Sequence, residues 1–284
     1  MVINRTRVIP ARIFARKPTG GKVEILLLHK EDGRNWEVLI GGKNVKMGVG
    51  LYISDNLHAR LVEDLGSSRR MVEFNRPIEE ILPKIGQMPL PPYIHKKLDD
   101  PERYQTIYGD RIGSAAAPTA GLHFTRELID HLIAAGIEIA EVTLHVGLDT
   151  FSPVSEEFAE DHQIHSEWCE LDMLTAEKIN QARQEKRRVI AVGTTTVRTL
   201  ESSVCREDDC KIVKEFSGMT NLYILPGFSF TVVDAMITNF HLPKSTLLMM
   251  VSAFAGWEKI TKWYELAVKE NYRFYSFGDA MFIQ

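Results

Sequence analysis

The chain is 284 residues long, 44% hydrophobic and 25% charged, with a net charge of −4. That is enough apolar material for a large core and one or two domains, and the acidic balance argues against a globally basic nucleic-acid binder, although phosphate binding needs only a local patch. No apolar run approaches the roughly 18 residues that span a membrane, the opening MVINRTRVIPAR lacks the apolar segment of a secretory signal, and Cys169, Cys205 and Cys210 show no disulfide-like or C-x-x-C spacing, which points to reducing cytoplasm.

From residue 2 to about residue 76 the chain reads as short strands. Apolar runs at 23–28, 36–40, 51–53 and 71–74 are separated by Gly20-Gly21, Asp32-Gly33 and Gly41-Gly42, the punctuation of a small sheet or barrel. A proline-rich stretch at 88–93 follows as an extended connector. Beyond residue 124 the texture becomes α/β. Thr125 is placed to cap a helix whose Leu128, Ile129, Leu132 and Ile133 share one face, with Gly136 at its end. The pattern predicts a strand at 137–146, a helix at 175–186 and a buried strand at 189–192. It predicts further strands at 222–225, 230–237 and 274–277, a helix apolar nearly all round at 246–255 and an amphipathic one at 259–271. Strands alternating with helices imply a parallel or mixed sheet with crossover connections.

Residues 103–124, RYQTIYGDRIGSAAAPTAGLHF, read as a ligand site. The run from Gly113 through Ser114, Pro118 and Thr119 to Gly121 carries almost no bulk, so it builds little core but lets backbone approach a ligand closely. Tyr104, Gln105, Thr106 and Tyr108 on one side and His123 on the other can stack, donate, accept and titrate. A tight loop between two elements is the structural alternative.

Gly193, Thr194, Thr195 and Arg198 belong to GTTTVR, directly after a buried strand and at the start of a helix. Backbone N–H groups and a helix dipole would converge there beside hydroxyls and a guanidinium, which suits a phosphate or an amino-acid carboxylate. A capped helix start with Arg198 paired to Glu201 is the alternative. Asn239, Lys244, Ser245 and Thr246 make a second polar turn, ahead of a buried helix. His123, His145 and His241 lie in polar blocks and are candidates for acid–base or hydrogen-bonding roles. His162 and His165, three apart, open a zinc reading for which no further ligand set appears. Asp234 and Asp279 sit among apolar residues, where a carboxylate is paired or functional because an isolated buried charge is expensive. Phe274, Tyr275 and Phe277 offer a stacking face for a base. The opening third is the basic part, and Lys96, Lys97 and Arg103 extend it.

Several blocks carry a resemblance. They are NRTRVIPARIFAR at 4–16, PLPPYI at 89–94, the 103–124 stretch, VTLHVGLDTFSPV at 142–154 and HQIHSEW at 162–168. VIAVGTTTVRTLES at 189–202, DAMITNFHLPKSTLLMMVSAFAG at 234–256 and YRFYSFGDAMFI at 272–283 continue the series. In order and across nearly the whole chain, they resemble the S-adenosylmethionine:tRNA ribosyltransferase-isomerases of queuosine biosynthesis. The resemblance implies a large mixed α/β domain, residues 1–9 and 96–284, with an inserted small antiparallel β-barrel domain, residues 10–95. It implies an enzyme that joins the ribosyl part of S-adenosylmethionine to 7-aminomethyl-7-deazaguanine at the wobble position of tRNA. The transferred ring rearranges to give epoxyqueuosine, and adenine and methionine leave. S-adenosylmethionine is then consumed as donor, and neither cofactor nor metal is expected. The expected partner is tRNA, bound through Arg12, Arg16, Lys43, Lys96, Lys97 and Arg103, with no membrane and a monomeric state. The glycine-rich loop of the common methyltransferases is missing, so the sulfonium would bind by another route.

Three departures accompany the resemblance. Family members carry a few dozen residues before the block that begins here at Val2. Asp149 and Ser152 stand where glycine and arginine are typical, and Ile40, Gly41 and Asn44 replace a more basic turn. The competing expectations are a weakened homologue or fragment, an RNA-binding module without catalysis, and a histidine-based metal hydrolase.

Overall fold

The computed structural model describes residues 1–66, 69–94, 96, 98–147, 150, 154–206 and 212–284. Lys97, Asp149, Ser152 and Cys210 lie outside the described residues. The chain divides into two compact units, one of Met1–Arg7, Leu98–Arg111 and Ala117–Gln284, the other of Val8–Lys97 and Ile112–Ala116.

In the smaller unit, alternation along the strand Arg12–Arg16 decides which side chains point inward. Ile13 and Ala15 are buried, whereas Phe14 is exposed. Among the described residues this strand pairs antiparallel with Lys22–Lys30 on one side and with Gly50–Ser54 on the other. Asn35–Gly41, Arg69–Phe74 and Leu57–Asp64 complete the circuit, so six antiparallel strands close a barrel. Ile13, Ile25, Leu27, Val38, Leu51, Leu61, Val72 and Phe74 are fully buried and fill it. Each such side chain contributes roughly 1.5–3 kcal/mol relative to exposure.

The larger unit is built on a sheet in which, among the described residues, seven strands take part. Val2–Asn4 lies inside it, with Ala140–Leu144 and Ile190–Val192 parallel on either side and Ala235–Asn239 parallel beyond. Glu167–Leu171 and Phe216–Thr220 extend one edge antiparallel, and Ala280–Ile283 the other. Helices Arg126–Ala134, Met173–Gln184 and Thr194–Ser202 connect strands, as the alternating pattern predicts. Thr125 and Asp172 cap the first two by accepting the Leu128 and Thr175 N–H groups. Gly136 follows the first helix at φ 87°, the left-handed turn for which glycine suits a helix end. Val142, Leu171, Ile179, Leu200, Met236 and Val251 belong to the main core.

Several local expectations are corrected. Helix Thr246–Ala255 has its expected bounds, but only Ile129 of the four apolar residues on helix Arg126–Ala134 that the periodicity grouped is buried, and Leu128 and Ile133 are exposed. The strand expected from residue 230 begins only at Ala235. The N–H groups of Thr231, Val232 and Val233 go instead to the Glu201 carboxylate, at 3.0, 3.0 and 3.1 Å. Residues 222–225 follow the Phe216–Thr220 strand without joining a ladder. Residues 274–277 form a turn, with Tyr275 at φ 71°, because Phe274 packs into an aromatic cluster with Phe240 and Tyr264 rather than onto a sheet face. Cys169 is free and buried, whereas Cys205, for which the spacing offered no partner, is disulfide-bonded. No helix among the described residues is long and apolar enough to cross a membrane.

Candidate active site at the carboxyl ends of the parallel strands

Parallel α/β sheets offer ligands the crevice outside the carboxyl ends of their strands. Here those ends bring Asn4, His145, Gly193 and Asn239 to one edge of the sheet. Asn4 is buried and fully used. Its amide N–H groups reach the Leu144 carbonyl and the Thr195 hydroxyl, both at 3.1 Å, and its carbonyl accepts the Leu144 and Thr6 N–H groups. A buried asparagine with all these bonds made ties three elements together. Beside it, the half-buried His145 pairs through Nδ1 with the Thr6 hydroxyl at 2.8 Å and stacks on Trp168 at 5.2 Å.

His123, Thr119 and Asn239 converge next to this. The Asn239 amide meets His123 Nε2 at 2.9 Å, accepts from the Thr119 hydroxyl at 3.1 Å and donates to the Tyr275 carbonyl at 3.3 Å. Asp279 acts on the same imidazole. Burial pushes the His123 pKa down, the Asp279 carboxylate pulls it up and Arg273 pushes it down again, with a net lowering. Asp279 is itself held below the usual carboxylate range, chiefly by the Arg273 side chain at 2.7 Å. The Arg273 backbone N–H also donates to it at 2.7 Å. A neutral imidazole beside an anchored carboxylate can donate through its N–H, and can accept a proton at Nε2 once the Asn239 amide gives way.

Within the 103–124 stretch, Gly121 permits close packing against side chains of the same stretch. A Cβ on Gly121 would run into the Tyr108 hydroxyl and come within 2.7 Å of Thr106 Cγ2. A Cβ on Gly193, at φ 88°, would contact Ala120 at 3.4 Å. Tyr108 is largely buried, which pushes its phenol pKa up, and Tyr104 is fully buried with its ring 5.9 Å from Phe277. The Thr106 hydroxyl is buried and meets no hydrogen-bond partner among the described residues. Gln105 is half-buried, and Pro118 directly precedes the short helical turn Thr119–His123. Ser114 belongs to the smaller unit, where its hydroxyl donates to the Ala116 carbonyl at 2.6 Å.

A pocket opens where two helices begin. Thr194, Thr195 and Arg198 of one, and Thr246, Leu247 and Met250 of the other, line it together with His165 and Glu167. Arg198 does not pair with Glu201. Its guanidinium meets the buried Glu167 carboxylate and also donates to the Leu222 and Thr220 carbonyls, at 3.2 and 3.3 Å. Burial pushes Glu167 up, but Arg198 and His165 outweigh it and keep the carboxyl below its usual range. The charge that Arg198 balances is therefore internal. Glu167 also accepts from the Gly147 N–H and the Thr150 hydroxyl at 2.8 and 2.9 Å.

His241 faces the core, whereas the turn after it reaches the surface at Pro243 and Lys244. His241 is buried, bonds Thr238 through Nε2 at 2.8 Å, and burial pulls its pKa to about 4. Ser245 caps the Thr246–Ala255 helix, and Lys244 is exposed at φ 55°. Asp234 is paired, with Arg183 at 2.5 Å and the Val189 N–H at 2.7 Å. His162 bonds Glu156 at 2.9 Å, and no three His, Cys, Asp or Glu side chains among the described residues come together to hold a metal.

The model of the family described as queuosine biosynthesis protein matches residues 1–283. The chain belongs to this family. It is 54% identical to an S-adenosylmethionine:tRNA ribosyltransferase-isomerase of Carboxydothermus hydrogenoformans, over 100% of this chain and 83% of the relative. A protein of the same description from Natranaerobius thermophilus is 53% identical over the same shares. A crystal structure of S-adenosylmethionine tRNA ribosyltransferase from Thermotoga maritima is similar with a TM-score of 0.50 and 36% identity, covering 100% of this chain and 81% of that one.

In this member of the queuosine biosynthesis family, three polar residues of the sheet edge escaped the sequence reading. Asn4 sits in a basic block that drew attention for its arginines. Glu167 and Arg273 have partners far off or across a turn, which local spacing does not reveal. The candidate phosphate contacts are divided. Arg12 is tied to Glu24 at 2.9 Å, whereas Arg16, Lys43, Lys96 and Arg103 are exposed.

Proposed function

We propose that this chain transfers and isomerises the ribosyl moiety of S-adenosylmethionine onto 7-aminomethyl-7-deazaguanine at the wobble position of tRNA. Epoxyqueuosine forms, and adenine and methionine are released. The observation that carries the reading is the 54% identity to a ribosyltransferase-isomerase along the whole of this chain. The chemistry agrees with it. A sulfonium acidifies the adjacent carbon, so a modest base can start the rearrangement, and departing adenine then needs a proton. The protein has to supply proton transfer and positioning, and the scheme calls for no redox cofactor or metal. The His123, Asn239 and Asp279 cluster at the strand ends offers a neutral imidazole and a carboxylate close together. The reading implies a cytoplasmic enzyme with tRNA and S-adenosylmethionine as substrates.

Chromatography of a reaction with tRNA bearing the deazaguanine amine tests it. Adenine and methionine should rise in equal amounts, and only when the aminomethyl base is present. S-adenosylhomocysteine as product would replace the reading with methyl transfer. Binding of tRNA without any turnover would replace it with a binding module.

A further inference from the structure

The outside of the small barrel carries an ordered row of side chains. Strand register sets Lys22 opposite Arg16, Arg16 opposite Tyr52, and Tyr52 opposite His58. Directly opposed residues point to the same face, so four neighbouring strands align these four side chains on the exterior. All four are exposed, Tyr52 by 54%. Phe14, two residues before Arg16 and so on the same face, is 48% exposed. The Tyr52 ring lies against bare backbone at Gly50, where a Cβ would meet it at 3.9 Å, and 6.4 Å from the His58 ring.

The cations of this row are not spent on acids. Among the described residues Arg16 donates to the Gly20 carbonyl at 3.3 Å and has no carboxylate partner, and Lys22 has no ion pair. Glu24, opposite Phe14, is neutralised by Arg12, and Arg60 is occupied by Glu73. Cations alone would follow the phosphates of any nucleic acid. Exposed aromatic faces between them add something that a duplex cannot use, because its bases are already stacked, and that an unpaired base can.

We propose that this row is a platform for unpaired nucleotides of the tRNA, with a base stacking on Tyr52 or Phe14 and the adjoining phosphates following Arg16 and Lys22. The identity of the RNA rests on the proposed function, while the preference for unpaired over paired nucleotides rests on the barrel face alone.

The test compares fluorescence anisotropy binding of tRNA and of a fully paired RNA with equal phosphate number, at several salt concentrations. Tyr52→Ala should weaken tRNA binding roughly 5- to 100-fold and leave the duplex unaffected, with Tyr52→Phe close to the unaltered protein. Arg16→Ala should weaken both RNAs and make the logarithmic salt slope shallower by about 0.7–0.9. Thermal melting of each variant confirms that the fold survives, and the exposed position of Tyr52 makes that the expected result. Equal tRNA affinity in Tyr52→Ala, or an equal loss on the duplex, overturns the platform. If the unaltered protein still produces adenine and methionine in that case, the platform alone has failed. An unaltered protein that neither binds tRNA nor turns over would overturn the proposed function and the platform together.

Discussion

Asn239 donates a side-chain N–H to Nε2 of His123 at 2.9 Å. The direction of that bond follows from the other two that the amide makes. Its nitrogen also faces the Tyr275 carbonyl, which can only accept, and its oxygen takes the Thr119 hydroxyl proton. Nε2 is therefore the acceptor, and the proton of the neutral imidazole is on Nδ1. Donation to an unprotonated ring nitrogen disfavours the imidazolium, in the same direction as burial. Nitrogen NMR should show the Nδ1–H tautomer in the unaltered protein. Asn239→Asp puts a carboxylate on Nε2 and should raise the His123 pKa by about one to three pH units, shifting any acid limb of the pH–rate profile upward. An Nε2–H tautomer in the unaltered protein would refute the assignment.

His241 predicts a pH dependence of stability. Its pKa is about 4 in the folded chain against an ordinary 6.5. Below pH 6.5 the unfolded chain takes up a proton that the folded one does not, so stability falls as pH drops and the loss is complete near pH 4. The difference corresponds to about 3 kcal/mol. His241→Gln, which cannot titrate, should flatten the urea-unfolding free energy between pH 7 and pH 4 relative to the unaltered protein. Parallel curves would show that His241 is not responsible.

Arg198 and Glu167 form a buried pair, each close to 5% exposed or less. Arg198→Ala leaves a carboxylate buried beside an apolar gap and should cost about 3–5 kcal/mol in unfolding free energy. Adding Glu167→Gln removes the stranded charge and should recover part of that loss. A stable Arg198→Ala protein whose only defect is weaker substrate binding would return the guanidinium to a ligand-binding role.

Gly121→Ala should be destabilising by about 1–3 kcal/mol through overpacking, since the added methyl meets Tyr108 and Thr106. Removing the obstacles in the triple variant with Tyr108→Phe and Thr106→Ser should restore most of the stability. If the single substitution melts like the unaltered protein, close packing is not what places glycine there.

The elements most legible in the sequence were those whose residues answer to local physics. Thr125, expected as a cap, accepts the Leu128 N–H at the start of its helix, and barrel strands alternate as a half-buried surface must. Legibility failed where a distant group captured the backbone or the side chain. Glu201 takes three N–H groups that the pattern assigned to a strand. Arg198 passes over a carboxylate three residues away for one 31 positions earlier. At the strand ends, His123 and Asn239 were both visible as candidates, but their contact spans 116 positions and emerges only from the sheet order.

The placement of Val2–Asn4 has a consequence for how the chain acquires its structure. Val2 is matched with Ala140 on one side and Ala191 on the other, so this strand precedes both neighbours by well over a hundred residues. The intervening barrel is made mainly of hairpins between consecutive strands, whose loops close at little entropic cost. On a growing chain the barrel can gather while Val2–Asn4, already synthesised, still waits for both strands that will enclose it. Contacts of such long separation slow folding, so refolding should show an early barrel phase and a later one in which the sheet closes around Val2–Asn4.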